Sequence, residues 1–412
     1  MPTRLDRLIP AARARLYAGL LVASYAIGWC WIGLSLRHGL DTGGSPFGAD
    51  FIIYYGASHL ALAGKAASAY VGGTLLAAER TAVPATRHLF LWCYPPTFQL
   101  LIWPLGLLPY FVALAAWTTA GLAAYLALIR RISGDRWAWL AALAFPGVLM
   151  NAIQGQNGFI TAALFGGGLL LLDQRPWLAG ALLGALAIKP QFGVLAPLLL
   201  ISTGRWKATA AAASSAFVLV LVATAAFGVE SWTGFQHAAT AASRALTSGR
   251  LPLSKDPSTF AALLLLHAPA SLAIVAHGFL AVVATGLTVI AWRRAGPLEI
   301  KAGLAVIATL IVLPYAFDYD LVMLAIPIGV ALNTLLERPA PPWILCGLIL
   351  LSVTPILIDP VTDMLGVPIG PLALWWGFLA LGSLLRTYQG REGGRAREPG
   401  SVTLCSAIES QA

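Results

Sequence analysis

Charge is scarce in this sequence: Asp, Glu, Lys and Arg make up 10% of its 412 residues. Soluble domains carry about a quarter, so a freely dissolved cytosolic enzyme is excluded. Cysteine is scarce too. Cys30, Cys93, Cys346 and Cys405 have no close spacing, which suggests neither a disulfide framework nor a zinc site. The six histidines, His38, His59, His88, His237, His267 and His277, show no metal-ligand spacing. There is no phosphate-binding loop and no dinucleotide fingerprint. Apolar residues, in contrast, are plentiful: 58% of the chain is hydrophobic and its mean hydropathy is +0.79.

Lys and Arg number 26 against 17 acids, a net charge of +9. In a soluble protein that excess would suggest nucleic acid. Here the basic residues occupy short breaks between apolar runs, where they orient helices, so the expected surroundings are membrane lipids and not nucleic acid. A helix needs about 20 apolar residues to fill a bilayer. By that measure the sequence predicts an all-α polytopic membrane protein with about twelve transmembrane helices, at 17–36, 89–108, 110–129, 137–150, 159–172, 178–201, 208–227, 270–292, 300–316, 321–336, 343–358 and 372–385.

The run 17–36 is too long and Trp-rich for a cleaved signal and reads as a retained first span after a short cytoplasmic N-terminus, 1–16. Arg205 with Lys207, Arg293 with Arg294 and Lys301, and the tail after Arg386 suit the cytoplasmic side, whereas 359–371 has no Lys or Arg and suits the outer side. The transmembrane domain then covers 17–386, with a long first outer loop at 37–88, a second large outer loop at 229–259, and a disordered cytoplasmic tail at 387–412. Counting spans puts Arg130, Arg131 and Arg136 outside, against the charge rule. The neighbouring runs 137–150 and 159–172 are about 14 residues each, or ~21 Å of helix, too short for a ~30 Å core. Either these helices are tilted partners of thicker ones, or the chain breaks at membrane depth, in which case the polar stretch Asn151 to Gly158 between them has to line a protein-enclosed or watery cavity.

Six groups of residues could carry chemistry. Phe51, Tyr54, Tyr55, Ser58 and Leu62 are spaced for an amphipathic helix lying on the membrane, ended by Gly64, with Asp50 at its N-cap. Asp50 either caps that helix or serves as an ionised, positioned general base. Asn151, Gln154, Gln156 and Asn157 are either helix-to-helix hydrogen-bonding groups or a polar wall for a sugar. Lys189, beside Pro190 in the middle of an apolar run, calls for an interior partner: a carboxylate, or a phosphate, the favoured choice because the membrane half offers so few acids. Asp318 and Asp320 flank Tyr319 at the outer end of a span, and at α-helical spacing only one of two acids two apart points inward. Tyr94, Pro95 and Pro96 mark a helix start. Arg244, Arg250, Lys255 and Asp256 read first as solvated loop charge, with Arg244 a candidate for an anionic group.

Taken in order, Asp50-Phe51 with Tyr54, Tyr55, Ala57, Gly64 and Tyr70, then Tyr94-Pro95-Pro96, Gly155-Gln156-Asn157 and Lys189-Pro190 resemble the signatures of glycosyltransferase family 87, a group of GT-C membrane glycosyltransferases that includes polyprenyl-phosphate-mannose-dependent mannosyltransferases. The resemblance implies a GT-C fold in a bacterial plasma membrane with an outward-facing active site. It also implies a polyprenyl-phosphate sugar as donor, no cofactor, and an envelope lipid or glycan as acceptor. In such enzymes an acid of the first outer loop is the catalytic base, and Asp50 holds that position. Tyr54, Tyr94, Gln154, Gln156, Asn157, Lys189, Arg244, Asp318 and Asp320 are the candidate substrate-binding residues. Mycobacterial relatives tend to be His-rich in the segment that here reads Pro314 to Asp320 without a histidine. A transporter or flippase of lipid-linked sugars is the rival expectation. Such folds commonly repeat their halves, and neither the Asp50 nor the Gly155-Gln156-Asn157 segment recurs in the second half.

Overall fold

The computed structural model describes residues 11–87, 91–135, 137–337 and 341–395; Arg4, Arg7, His88, Arg136 and the tail beyond Arg395 lie outside the described residues. Within them the chain is helical, and its only extended pairings are two isolated bridges around Leu40. Helix α1 (Ala11–Ser35) is apolar on every side and leaves Leu16, Leu20, Ile27, Trp31 and Leu34 exposed. Such a surface is stable only against lipid. With α5 (Tyr110–Ser133), α11 (Trp206–Phe227), α14 (Ala270–Arg293), α17 (Pro342–Leu365), the stretch Ile369–Tyr388 of α18 (Ile369–Arg395) and the span Asp318–Leu336, α1 makes seven segments among the described residues that are long and apolar enough to cross a membrane. This is a polytopic helical membrane protein.

The expected count of twelve is not reproduced, because apolar length alone does not distinguish a membrane crossing from a buried, broken helix. The run 89–108 becomes a seven-residue helix, α4 (Pro96–Ile102), followed by a 3₁₀ turn. The run 137–150 divides at Pro146 into α6 (Ala138–Ala144) and α7 (Pro146–Gln154). The run 178–201 divides around Lys189 into α9 (Pro176–Gly184), two 3₁₀ turns and α10 (Ala196–Ser202). Helix α15 (Leu298–Val312) has 15 residues and runs through the core, with eleven of them buried. At the C-terminus α18 continues to Arg395, so the tail is helical as far as it is described.

Contacts between helix ends fix which segments share a face. Helix α5 starts beside Phe47, whose carbonyl accepts a 2.6 Å bond from Tyr110, and descends to Ser133. There Arg131 donates to Gln174 (2.5 Å), Asp173 pairs with Arg205 (2.7 Å), and Asn333 donates to the carbonyl of Ile132 (2.7 Å). Between these anchors the chain makes two returning excursions. Helices α6 and α7 rise to Gln154, whose carbonyl accepts from the Asp50 N–H (3.1 Å), and α8 (Gly158–Leu170) returns. Helix α9 rises to Lys189, and α10 returns to Arg205. Only α11 then crosses fully, into α12 (Val229–Thr247), where Gly234 lies against the Tyr70 ring. Arg130 and Arg131 therefore stand on the same face as Arg205, in agreement with the charge rule and against the count of spans. The count erred because 89–108 and 178–201 each contain a turn back.

The segment 37–88 does not lie on the surface as a membrane-bound amphipath. Helix α2 (Phe51–Leu62) is buried on all sides: Phe51, Ile52, Tyr54 and Ala57 are wholly inaccessible. Its aromatic residues pack with Trp92, Phe98, Tyr110 and Trp117 into a second core, apart from the larger one among α5, α8, α15, α16 (Ala325–Glu337), α17 and α18. Polar bonds lock this unit to its neighbours. Tyr55 donates to the carbonyl of Leu108 (2.9 Å), Tyr70 to that of Tyr94 (2.8 Å), and Gln99 to those of Ala57 and Ala66. Helix α3 (Gly72–Ala82) closes it from outside.

Candidate active site

The site forms where the two returning excursions turn beneath the start of α2. Helix α7 ends at Gly155 in a left-handed conformation (φ 61°), and α8 begins three residues later. No other residue suits this corner: a Cβ on Gly155 would stand 2.7 Å from that of Phe51 and 3.2 Å from the carbonyl oxygen of Gly48, besides the cost of positive φ. The Gly155 carbonyl accepts from the Trp117 indole (3.1 Å). The Asn151 amide, oriented to satisfy both neighbours, donates to the Gln156 carbonyl (3.1 Å) and accepts from the Gly158 N–H (2.9 Å). The turn is thereby held from both sides, and the side chains of Gln156 and Asn157 project from it.

Asp50 does not cap α2: its side chain makes no bond to the helix N-terminus. Its Oδ2 accepts a 2.6 Å bond from Gln156 Nε2. Gln156 Oε1 in turn accepts from the hydroxyl of Tyr54 and from that of Tyr94 (3.1 Å), and these hydroxyls lie 2.8 Å apart. Two donors on the oxygen fix the amide orientation, so that the nitrogen must face Asp50. The carboxylate is thus aimed by a glutamine that two buried tyrosines hold, while Asp50 itself stays partly open. Burial raises its carboxyl above the ordinary carboxylate range, against the opposing pull of the Gln156 bond and the charges of Lys255 and Lys189.

Lys189 has its interior partner within the chain. The residue is 4% exposed, and its ammonium donates to Asp320 (2.6 Å) and to Asn157 Oδ1 (2.9 Å), beneath the rings of Phe192 and Tyr319. The favoured expectation of a phosphate partner is corrected, since a carboxylate from more than a hundred residues away arrives at hydrogen-bond distance. Asp318 and Asp320 are both buried, and the expectation that only one turns inward fails for a geometric reason. The segment Asp318–Leu324 is a 3₁₀ turn enclosed on every side, not a surface α-helix. Asp318 accepts from Gln154 Nε2 (3.1 Å) and from the Tyr319 N–H (2.8 Å), and Asp320 Oδ2 accepts from the Phe317 N–H (3.2 Å).

Of the candidates named from sequence, Asp50, Tyr54, Tyr94, Gln154, Gln156, Asn157, Lys189, Asp318 and Asp320 converge. Arg244 does not: it is exposed on α12 and makes no hydrogen bond to the cluster. Two residues first read as solvated loop charge belong close by. Asp256 is 4% exposed and accepts from the Ser258 N–H (2.8 Å) and the Ala316 N–H (3.5 Å), tying the segment 229–259 to the chain before Asp318. Burial pushes its carboxyl up to about 7. The available signal was an acid two residues before a helix-capping serine, Ser258, which accepts from the Ala261 N–H (3.0 Å). Lys255 is held 3.9 Å from Asp359, which also accepts from Ser254. Three buried atoms of the cluster, Asn157 Nδ2, Asp318 Oδ2 and Asp256 Oδ2, have no hydrogen-bond partner among the described residues. Buried polar atoms without partners are costly, and sugar hydroxyls are the kind of group that would satisfy them. Among the described residues no three His, Cys, Asp or Glu come together as metal ligands.

The family model of glycosyltransferase family 87 matches residues 92–314, just over half the chain. The chain belongs to glycosyltransferase family 87. Together with the spans, that membership makes it a membrane glycosyltransferase and displaces the transporter reading. No curated protein and no solved structure matches it. The matched stretch contains Tyr94, Gln154, Gln156, Asn157 and Lys189; Asp50 precedes it and Asp318 and Asp320 follow it. The three acids join the matched stretch through the hydrogen bonds described above.

Proposed function

We propose that this family 87 enzyme, of GT-C architecture, transfers a hexose, mannose first among them, from a polyprenyl-phosphate donor to a hydroxyl of an envelope lipid or glycan, with Asp50 as general base. The observation that carries this reading is the bond from Gln156 to Asp50, which leaves one carboxylate oxygen aimed and unspecialised at a partly open position. Asp50 takes the proton as the acceptor oxygen attacks the anomeric carbon. The bond from that carbon to the phosphate oxygen breaks on the opposite side, its electron pair leaves with the polyprenyl phosphate, and the centre inverts.

The growing phosphate charge is met by Lys255, whose ammonium acts on both Asp50 and Asp318 and has only a loose 3.9 Å pairing with Asp359. Lys189, neutralised by Asp320, positions Asn157 and keeps the local field near balance. The unpartnered atoms of Asn157 and Asp318 bind sugar hydroxyls. The acidic face opens outward on this reading, because the opposite face carries Arg131, Arg205, Arg293 and Arg294, and the membrane is a bacterial plasma membrane.

The test uses purified protein in lipid nanodiscs with polyprenyl-phosphate-linked mannose, glucose or arabinose and membrane-lipid extract, wild type beside Asp50→Asn. Product from mannose in the wild type alone supports the reading. Equal product from both proteins overturns Asp50 as base, and product only from another sugar overturns the mannosyl preference.

A further inference from the structure

The face opposite Asp50 carries a concave feature. A cavity of about 460 Å³ opens between α14, α15, α17 and α18, with Arg294 and Arg386 at its mouth. Its distance from the active site follows from helix lengths. Helix α18 begins against the Asp256 loop, where Gly370 touches Pro257, and Arg386 comes 16 residues later, about 24 Å along the axis. Helix α14 likewise runs 24 residues away from the segment 229–259 before reaching Arg293. The walls are apolar and face lipid: Ile290 and Leu379 are about half exposed. Trp343, at the start of α17, lines the cavity, and its carbonyl accepts from the Trp376 indole (2.9 Å), which ties α17 to α18.

Neither Arg294 nor Arg386 has a carboxylate partner among the described residues, and both are exposed. Two guanidiniums over an apolar slot match a ligand with an anionic head and acyl chains, since guanidinium binds phosphate oxygens through paired donors. The floor has space. Gly382 lines the cavity, and a Cβ built on it meets nothing within 4 Å. We infer that this cavity is a binding site for one anionic diacyl phospholipid of the basic-face leaflet, its phosphate held by Arg294 and Arg386 and its chains lying between α14 and α18.

The experiment counts lipids retained by the detergent-solubilised enzyme in native mass spectrometry, with phosphatidylglycerol or phosphatidylcholine added at equal concentration. One phosphatidylglycerol should be retained at least tenfold more tightly than phosphatidylcholine. The double variant Arg294→Gln, Arg386→Gln should abolish that preference. Gly382→Phe keeps both charges but fills the slot, and should block retention of either lipid at this site. Equal retention of the two lipids by the wild type, or unchanged retention in Gly382→Phe, overturns the proposal in favour of ordinary annular lipid. Each variant should match the wild-type melting temperature in phosphatidylcholine alone, so that a folding defect is visible as such.

Discussion

At the residue scale the site is organised by direct hydrogen bonds between segments far apart in the chain, and each makes a separable prediction. Asp50→Asn keeps the bond to Gln156 sterically but cannot accept a proton, so kcat should fall by about 10²–10⁴-fold while the melting temperature stays within a degree or two. Because burial raises the Asp50 carboxyl, the base is protonated at pH values where a free aspartate is already ionised. Activity should therefore rise with pH through a limb above the ordinary carboxylate range, and removing Lys255 as Lys255→Met should move that limb higher still. The Lys189–Asp320 pair calls for a different experiment. Either Lys189→Met or Asp320→Asn alone strands a buried charge and should cost about 3–5 kcal/mol, whereas the double variant should recover much of that stability. Detergent melting curves of all three report it, and a double variant no better than the singles would refute the pairing.

Glu79 on α3 lies outside the site. It is wholly buried, its carboxylate oxygens have no hydrogen-bond partner among the described residues, and burial pushes it up to about 7 from an ordinary 4.5. A folded value above the unfolded one favours the native state below the unfolded value, and the benefit is lost as pH rises through 7. Glu79→Gln should accordingly raise the melting temperature at pH 8 and leave it nearly unchanged at pH 4.

At the scale of elements, glycine spacing decides how closely helices approach. Gly180 and Gly184 on α9 sit four apart, and a Cβ on either would stand 2.2 Å from a backbone oxygen of α11, Ala208 and Ala212 respectively. This is the small-xxx-small contact that lets membrane helices pack backbone to backbone. Gly184→Leu should separate α9 from α11 at a cost of about 1–3 kcal/mol. Since α9 leads to Lys189, it should also lower activity without touching the site. The spacing is visible in the sequence, but its partner helix is not. Gly155 is a comparable case. Its place before Gln156 marks a turn, while the need for close approach to Phe51 appears only once α2 is seen buried.

For the whole molecule, the two returning excursions predict a labelling pattern. In a cysteine-free background, cysteines at Ser133 and Gln174 should react with a membrane-impermeant reagent from one side of a vesicle, and a cysteine at Ser248 from the other. A simple count that treats 178–201 as a full crossing separates Ser133 and Gln174 from Arg205, whereas the Arg131–Gln174 and Asp173–Arg205 contacts join them.

The sequence alone determined that the chain is helical and membrane-embedded, and it named most of the residues that meet at the site, because scarcity of charge makes each polar residue in an apolar run conspicuous. Its ordered motifs also pointed to the family. Only the tertiary structure decided which of these residues touch. Lys189 and Asp320 are 131 positions apart, Asp50 and Gln156 are 106, and no local pattern reports a bond between them. Which apolar runs form long unbroken helices and which are broken was decided there too. Hydrophobicity has the same cause in a lipid-facing helix and in a helix buried within the protein, and only the neighbours distinguish the two.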